Sequence, residues 1–174
     1  LKLISDAWFP SMLNFLTYRS GSGAEESSKK AQTIVSDRDT NPFIELYEDF
    51  LIGPECWEDY RVLGISIVGT SQIIPGLTLA RMLKKRYPHL FIVLGGPIFS
   101  VISEKLKEWP EFFDEFCYAI ITFEGEEPLD QLLSSIKSGA SLDGVPNLIY
   151  KNNGQVKVSE RKATIRFNEI PPPT

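Results

Sequence analysis

Two patterns of apolar and polar positions alternate along this 174-residue chain from Asn41 onward. Phe43, Leu46, Tyr47, Phe50 and Leu51 recur at the i, i+3, i+4, i+7, i+8 spacing of one helix face. Pro42 suits a first helical turn, and Gly53-Pro54 ends the helix. Val62 to Val68 is a nearly continuous apolar run, the pattern of a parallel strand covered on both faces, and it stops at Gly69-Thr70-Ser71. A helix beginning near Pro75 turns Leu77, Ala80 and Leu83 inward and stops at Arg86-Tyr87-Pro88. Phe91 to Leu94 is the next buried strand, ended by Gly95-Gly96-Pro97. A helix from Ser103 to Trp109, an acidic-aromatic stretch and a strand from Tyr118 to Phe123 follow. After Glu124-Gly125-Glu126-Glu127, Pro128 opens a helix whose apolar face is Leu129, Leu132, Leu133 and Ile136, closing at Gly139.

Strands and helices in strict alternation, joined by short connections, require right-handed crossovers. The expected fold class is therefore α/β: a flavodoxin-like or Rossmann-like doubly wound parallel sheet with helices on both faces. The tail differs. Leu148-Ile149-Tyr150, Asn152-Asn153-Gly154 and Val156-Lys157-Val158 form a hairpin signal, and Ala163 to Phe167 reads as a further strand before Pro171-Pro172-Pro173. Residues 1–140 are thus expected to form the α/β domain, and residues 141–174 a β-hairpin extension and stiff linker. Residues 19–41 carry few large apolar side chains and read as a mobile loop or insertion; such a length points either to a helical portion or to a segment covering a site. Leu1 to Ile4 is either the first strand of the sheet or follows one that has been cut away, since the abrupt start suggests an excised fragment.

Composition narrows the class. Hydrophobic residues make up 43% and charged residues 24%, as in ordinary globular proteins, and no apolar run suggests a membrane span. The net charge of -5, with Lys and Arg scattered, argues against a nucleic-acid surface. A soluble, cytoplasmic protein is expected. Cys56 and Cys117 have no second Cys or His at metal-ligand spacing and read as buried small apolar residues.

In an open α/β sheet, ligands bind beyond the carboxyl ends of the strands, so the informative segments are the loops leaving them. These are Ser66-Ile67-Val68-Gly69-Thr70-Ser71, Gly95-Gly96-Pro97-Ile98-Phe99-Ser100 and Glu124-Gly125-Glu126-Glu127. Glycines admit a bulky flat ligand to the backbone, and hydroxyls and helix-start amides offer it hydrogen bonds. Tight strand-to-helix turns explain the same residues without a ligand. The three glutamates also favour the positive end of the helix they precede, which makes them poor evidence for acid-base catalysis.

The order of these pieces resembles the cobalamin-binding domain of radical S-adenosylmethionine enzymes. Its pattern has G-x-S after one strand, G-G-P after the next, G-E-G-E before a Leu-rich helix, and I-P-G-L-x-Y-R followed by N-G or D-G. Here stand Gly64-Ile65-Ser66, Gly95-Gly96-Pro97, Glu124 to Leu129, Gly144 to Tyr150 with Asn153-Gly154, and Asn168 to Pro173 at the junction. The resemblance covers Val62 to Thr174. It implies cobalamin contacts from Ser66, Val68, Gly69, Thr70 and Ser71, from Gly95, Gly96, Pro97 and Ile98 lining the benzimidazole slot, and from Glu124, Gly125 and Glu126 closing its far side. It also implies a partner, a radical S-adenosylmethionine barrel in the parent chain that carries the iron-sulfur cluster and binds S-adenosylmethionine.

The chain departs from the pattern at the lower cobalt ligand and at its start, where the first strand is either Leu1 to Ile4 or one cut away. The D-x-H-x-x-G motif that supplies a lower cobalt ligand is absent, and the single histidine, His89, precedes the strand Phe91 to Leu94 and so lies far from its carboxyl end. The cysteine triplet C-x-x-x-C-x-x-C is also absent, so the radical chemistry belongs to the parent enzyme and no residue here is expected to be catalytic. The resemblance therefore implies a non-catalytic module that holds a corrinoid for methyl transfer; the alternative is a cofactor-free relative serving structure or substrate docking. A phosphoryl receiver and a G-x-G-x-x-G dinucleotide domain fit poorly, because the strand ends lack the former's acidic residues and Gly21-Ser22-Gly23 lies in a polar loop.

Overall fold

The computed structural model describes residues 12–13, 18–19, 28–53 and 57–162. Cys56, the strands expected at Leu1 to Ile4 and Ala163 to Phe167, and the proline-rich junction lie outside them. The chain divides into two compact units, Leu1–Ile92 and Val93–Thr174.

In the first unit, β1 (Met12–Leu13) pairs antiparallel with β2 (Tyr18–Arg19). Helix α1 (Ser28–Ser36) occupies the segment expected to be a loop, realising the helical option for its length. Ala31, Ile34 and Val35 are its buried side chains, a three-residue signal too sparse to stand out among the polar residues around it. Asn41 is fully buried. Its Nδ2 donates to the Ile34 carbonyl at 3.2 Å and to Thr78 Oγ1 at 2.8 Å, and its Oδ1 accepts from Phe43 N at 3.1 Å.

Helix α2 (Phe43–Tyr47) runs into a π-turn at Glu48–Ile52, closed by Gly53 N donating to the Glu48 carbonyl at 3.0 Å. The wider turn shifts the buried face relative to the 3.6-residue expectation. Phe43, Ile44 and Ile52 are buried, whereas Leu46 and Phe50 are exposed. Strand β3 (Val62–Ser66) is only partly covered: Gly64 and Ser66 are exposed, which corrects the expectation of burial on both faces. Helix α3 (Ile73–Arg86) buries Leu77, Ala80 and Leu83 as the periodicity requires, and Pro75 sits in its first turn, where no helical N–H is missed.

Strand β4 (Phe91–Gly95) spans the division between the units, beginning in the first and ending in the second. In the second unit, α4 (Pro97–Val101) forms within the expected strand-exit loop, and the helix expected from Ser103 to Trp109 is shortened to α5 (Ser103–Leu106). Then α6 (Pro110–Glu115) forms from the acidic-aromatic stretch, with Pro97 and Pro110 in the opening turns of α4 and α6. Phe112, Phe113 and Phe116 are buried, and the Phe112 ring contacts those of Trp109, Phe113 and Phe116, so the aromatic residues of this stretch are core. Cys117 is buried and outside any disulfide.

Strand β5 (Ala119–Ile121) is shorter than expected because Phe123 breaks it with φ of 58°. Helix α7 (Glu126–Ser138) ends at left-handed Gly139; Leu132 is fully buried, while Leu129 and Leu133 are exposed. The hairpin of β6 (Leu148–Asn152) and β7 (Gln155–Val158) turns at Asn153-Gly154, both with positive φ, as a two-residue hairpin demands.

Strands β4 to β7 are hydrogen-bonded neighbours in chain order. Strands β4 and β5 are parallel, whereas β6 is antiparallel to β5 and β7 to β6. This is the α/β, Rossmann-like class expected. The hairpin continues the sheet as its antiparallel margin.

Candidate functional site

The exit of β3 lies in the first unit. Ser66 and Thr70 are exposed, Val68 is largely exposed, and Gly69 and Ser71 are half-buried. A 3-10 turn at Thr70–Gln72 follows. Gln72 Oε1 accepts from Val68 N at 2.8 Å and Gly69 N at 3.3 Å, so the two backbone donors here already have a side-chain partner. Sequence reasoning passed over Gln72; its place three residues after Gly69 is the signal for that cap. Gly69 has extended dihedrals, and no described atom lies within 4 Å of a Cβ placed on it.

In the second unit, the exits of β4 and β5 are brought together. Gly96 has φ of 112°, a conformation essentially reserved for glycine, and it redirects the chain from β4 into α4. Ser100 Oγ, on α4, accepts from Phe123 N at 2.8 Å and so ties the two exits. Gly95 and Gly125 both flank Ile121. A Cβ on Gly95 would lie 3.7 Å from the Ile121 carbonyl oxygen and one on Gly125 3.6 Å from Ile121 Cγ2, ordinary contacts in each case. Pro97 is exposed, and Ile98 is half-buried. Glu124, Glu126 and Glu127 are exposed at the start of α7, and Glu126 Oε2 accepts from Gly125 N at 3.1 Å. That bond, together with two acidic residues in the first turn, matches the helix-terminus role expected of them.

Asn147 holds this corner in place. It is buried, with φ of 54°, the left-handed region that Asn and Gly tolerate best. Its carbonyl accepts from Thr122 N at 2.9 Å and Thr122 Oγ1 at 3.1 Å, and its Nδ2 donates to the Glu124 carbonyl at 3.4 Å. Toward the tail, Nδ2 donates to the Lys162 carbonyl and Oδ1 accepts from Lys162 N, both at 2.9 Å. The Arg161 guanidinium lies 3.7 Å from the Phe123 ring centroid, a cation–π contact. Phe123, Asn147 and Arg161 were not among the expected site residues. Asn after Pro146 and directly before a strand is the one readable hint of a left-handed position.

Beside this corner, Asp143 accepts from Lys157 Nζ at 2.7 Å, Tyr150 Oη at 2.5 Å and Ser141 Oγ at 2.7 Å. These bonds, that from Lys157 foremost, hold its carboxyl well below the usual range. Burial and the Asp143 bond push the Tyr150 phenol up to about 12. His89 lies before β4, with its ring edge-on to Tyr87 and Nε2 3.9 Å from Glu58, and the whole length of β4 separates it from Gly95. No group of three or more metal-ligating side chains occurs among the described residues, and no described helix is long and apolar enough to cross a membrane.

No protein-family model matches the chain. Over 119 residues, 67% of its length, the chain is 30% identical to an uncharacterized methyltransferase of Pyrococcus horikoshii. It spans 24% of that relative's length. Among solved structures, it is similar to the radical S-adenosylmethionine methyltransferase TsrM from Kitasatospora setae, determined with cobalamin and an iron-sulfur cluster bound. That likeness covers 75% of this chain and 23% of TsrM, with a TM-score of 0.47 and 18% identity.

Proposed function

We propose that this chain is a corrinoid-binding module that serves methyl transfer carried out elsewhere in a longer protein. The observation that carries the reading is the set of glycines at the strand exits. Gly69, Gly95 and Gly125 are held to glycine neither by a left-handed backbone nor by a close neighbour among the described residues. Glycine costs conformational entropy, and at these three positions neither a left-handed backbone nor a close contact offsets it. The bare backbone they leave suits the approach of a large flat ligand. Similarity to a methyltransferase supports the reading, as does the ordered resemblance of the strand-exit motifs to cobalamin domains.

Gly95, Gly96, Pro97 and Ile98 at the β4 exit and Glu124, Gly125 and Glu126 at the β5 exit are the contacts proposed in the second unit. In the first unit, Ser66, Val68, Thr70 and Ser71 are proposed on the resemblance alone, and Gly69 on its unobstructed backbone as well. A bound corrinoid would supply a cobalt-held methyl group. The chain's own part is to bind and orient, with no histidine offered from the strand ends to the metal. The radical S-adenosylmethionine barrel, its cluster and a cytoplasmic location belong to this same proposal. One pair of observations favours the cofactor-free alternative: Gln72 and Glu126 already satisfy the amides at two of the exits.

Visible absorption after incubation with hydroxocobalamin and desalting separates the two readings. The corrinoid module retains cofactor with a shifted spectrum, and Gly69→Phe or Gly125→Val reduces retention at least about tenfold without loss of fold, since a Cβ at either position meets no close contact. Absence of retention by the unaltered chain would establish the alternative, and retention indifferent to both substitutions would remove the strand exits from the site.

A further inference from the structure

The first unit contains a cleft of about 540 Å³ that none of the strand-exit residues lines. Its floor is apolar, formed by Val35, Ile44 and Ile52, all buried, and by Met82 of α3. Four cationic side chains line it, Arg38, Arg81, Lys85 and Arg86, against the single carboxylate of Glu48. Arg38 and Glu48 are paired with each other, and the second acidic group near Arg38, Glu45, is exposed on α2. The protein as a whole carries a net charge of -5, so this concentration of positive charge runs against its average.

The bland explanation is that cations in the last turn of α3 complement the helix dipole, and Lys84, Lys85 and Arg86 do occupy that turn. It does not account for Arg38, which comes from beyond the end of α1, or for Arg81, a turn and more upstream. Nor does it account for an apolar floor beneath the charges. The cleft volume falls in the range of small-molecule sites, roughly 300–1,000 Å³. Arg81 and Arg86, the latter 5.7 Å from the Tyr87 ring centroid, carry planar guanidinium groups, a class of donor that binds phosphate oxygens in pairs, and Lys85 adds a point charge. Arg81, Lys85 and Arg86 also stand about 12–20 Å along α3 from its start after β3, at 1.5 Å per residue, so the cleft is distinct from the strand exits.

We infer that this cleft binds a small phosphate-bearing organic anion, with its phosphate on Arg81, Lys85 and Arg86 and its apolar body on Val35, Ile44, Ile52 and Met82. The site is independent of the corrinoid reading and uses none of its residues.

Fluorescence titration of the whole chain with naphthyl phosphate tests the assignment, because this probe combines a dianionic phosphate with an apolar body. Saturable binding is expected, with naphthol, which lacks the phosphate, at least about tenfold weaker. Lys85→Glu places a carboxylate at an exposed position in the cleft and should weaken the probe at least about tenfold. Lys137→Glu makes the same change in net charge at the end of α7 and should leave affinity within about twofold. Failure of naphthyl phosphate to saturate, naphthol binding as tightly as the phosphate, or equal losses in the two lysine variants would each overturn the inference. Circular dichroism of both variants confirms that any loss is one of binding and not of fold.

Discussion

Two buried asparagines do corresponding work in the two units. Asn41 joins the end of α1, the start of α2 and Thr78 of α3. Asn147 joins the end of β5 to the segment after β7. Each is a buried polar side chain with several hydrogen bonds, all of which truncation removes. Asn41→Ala should cost about 2–3 kcal/mol in urea denaturation. Asn147→Ala should cost about 2–4 kcal/mol, because alanine also strains the left-handed backbone. Asn147→Gly, which keeps the dihedral and loses only the hydrogen bonds, should be about 1 kcal/mol milder than Asn147→Ala. Equal losses for the two Asn147 variants would mean that the left-handed conformation carries no cost. Neither role was legible in advance, since an asparagine's partners lie wherever the fold brings a carbonyl.

At the scale of elements, the packing of α3 against the residue that follows β3 offers a sharper test. A Cβ on Gly76 would stand 2.7 Å from Ile67 Cδ1 and 3.0 Å from its Cγ1, and Ile67 is buried. Gly76→Ala gains about 1 kcal/mol of helix propensity but meets an overpacking penalty of about 1–3 kcal/mol. Ile67→Val, which removes the offending Cδ1, costs about 0.5–1.5 kcal/mol alone. The double variant should be more stable than the sum of the two single changes predicts, by about 1 kcal/mol or more, as read from a double-mutant cycle in urea. The helices that periodicity placed well, α3 and α7, are long enough to repeat their pattern over several turns. Those it misplaced are short or irregular. The π-turn after α2 exchanged Phe50 for Ile52 in the core, and α4 and α5 are each too short for a helical period to show.

For the molecule as a whole, pH should limit stability at both extremes. Burial pushes the phenol of Tyr47, in the first unit, up to about 12, and burial with the Asp143 bond does the same for Tyr150 in the second. A phenol raised in the folded state contributes stability that is fully present below the unfolded value of about 10 and is lost as pH rises through the folded value. Urea midpoints should therefore hold up to pH about 10 and fall steeply above it, in step with tyrosinate absorbance. Tyr150→Phe should flatten part of that fall. On the acid side Asp143 is held down by Lys157, Tyr150 and Ser141, so its contribution is present above the unfolded carboxylate value of about 4 and is lost as pH falls through the lowered one. Asp143→Asn should accordingly be less stable than the natural chain at neutral pH, with the gap closing in acid. A constant gap across that range would remove the carboxylate from the account.

What the sequence determined by itself was whatever depends on local periodicity and punctuation. Strands β4 and β6, helices α3 and α7, the Asn153-Gly154 turn and the α/β class follow from spacing, glycine and proline alone. The glycine-bearing strand exits were also legible, because an α/β sheet sends its ligand loops out from strand ends. Only the tertiary structure decided which face each short helix buries, and that the acidic-aromatic stretch is core. It also decided that Ser100 ties the β4 and β5 exits together, that Asn147 ties the β5 exit to the segment after β7, and that Arg38, Arg81, Lys85 and Arg86 share one cleft. These features join residues that are distant in the chain or depend on a turn one residue wider than usual. A pattern read along one dimension carries no term for either.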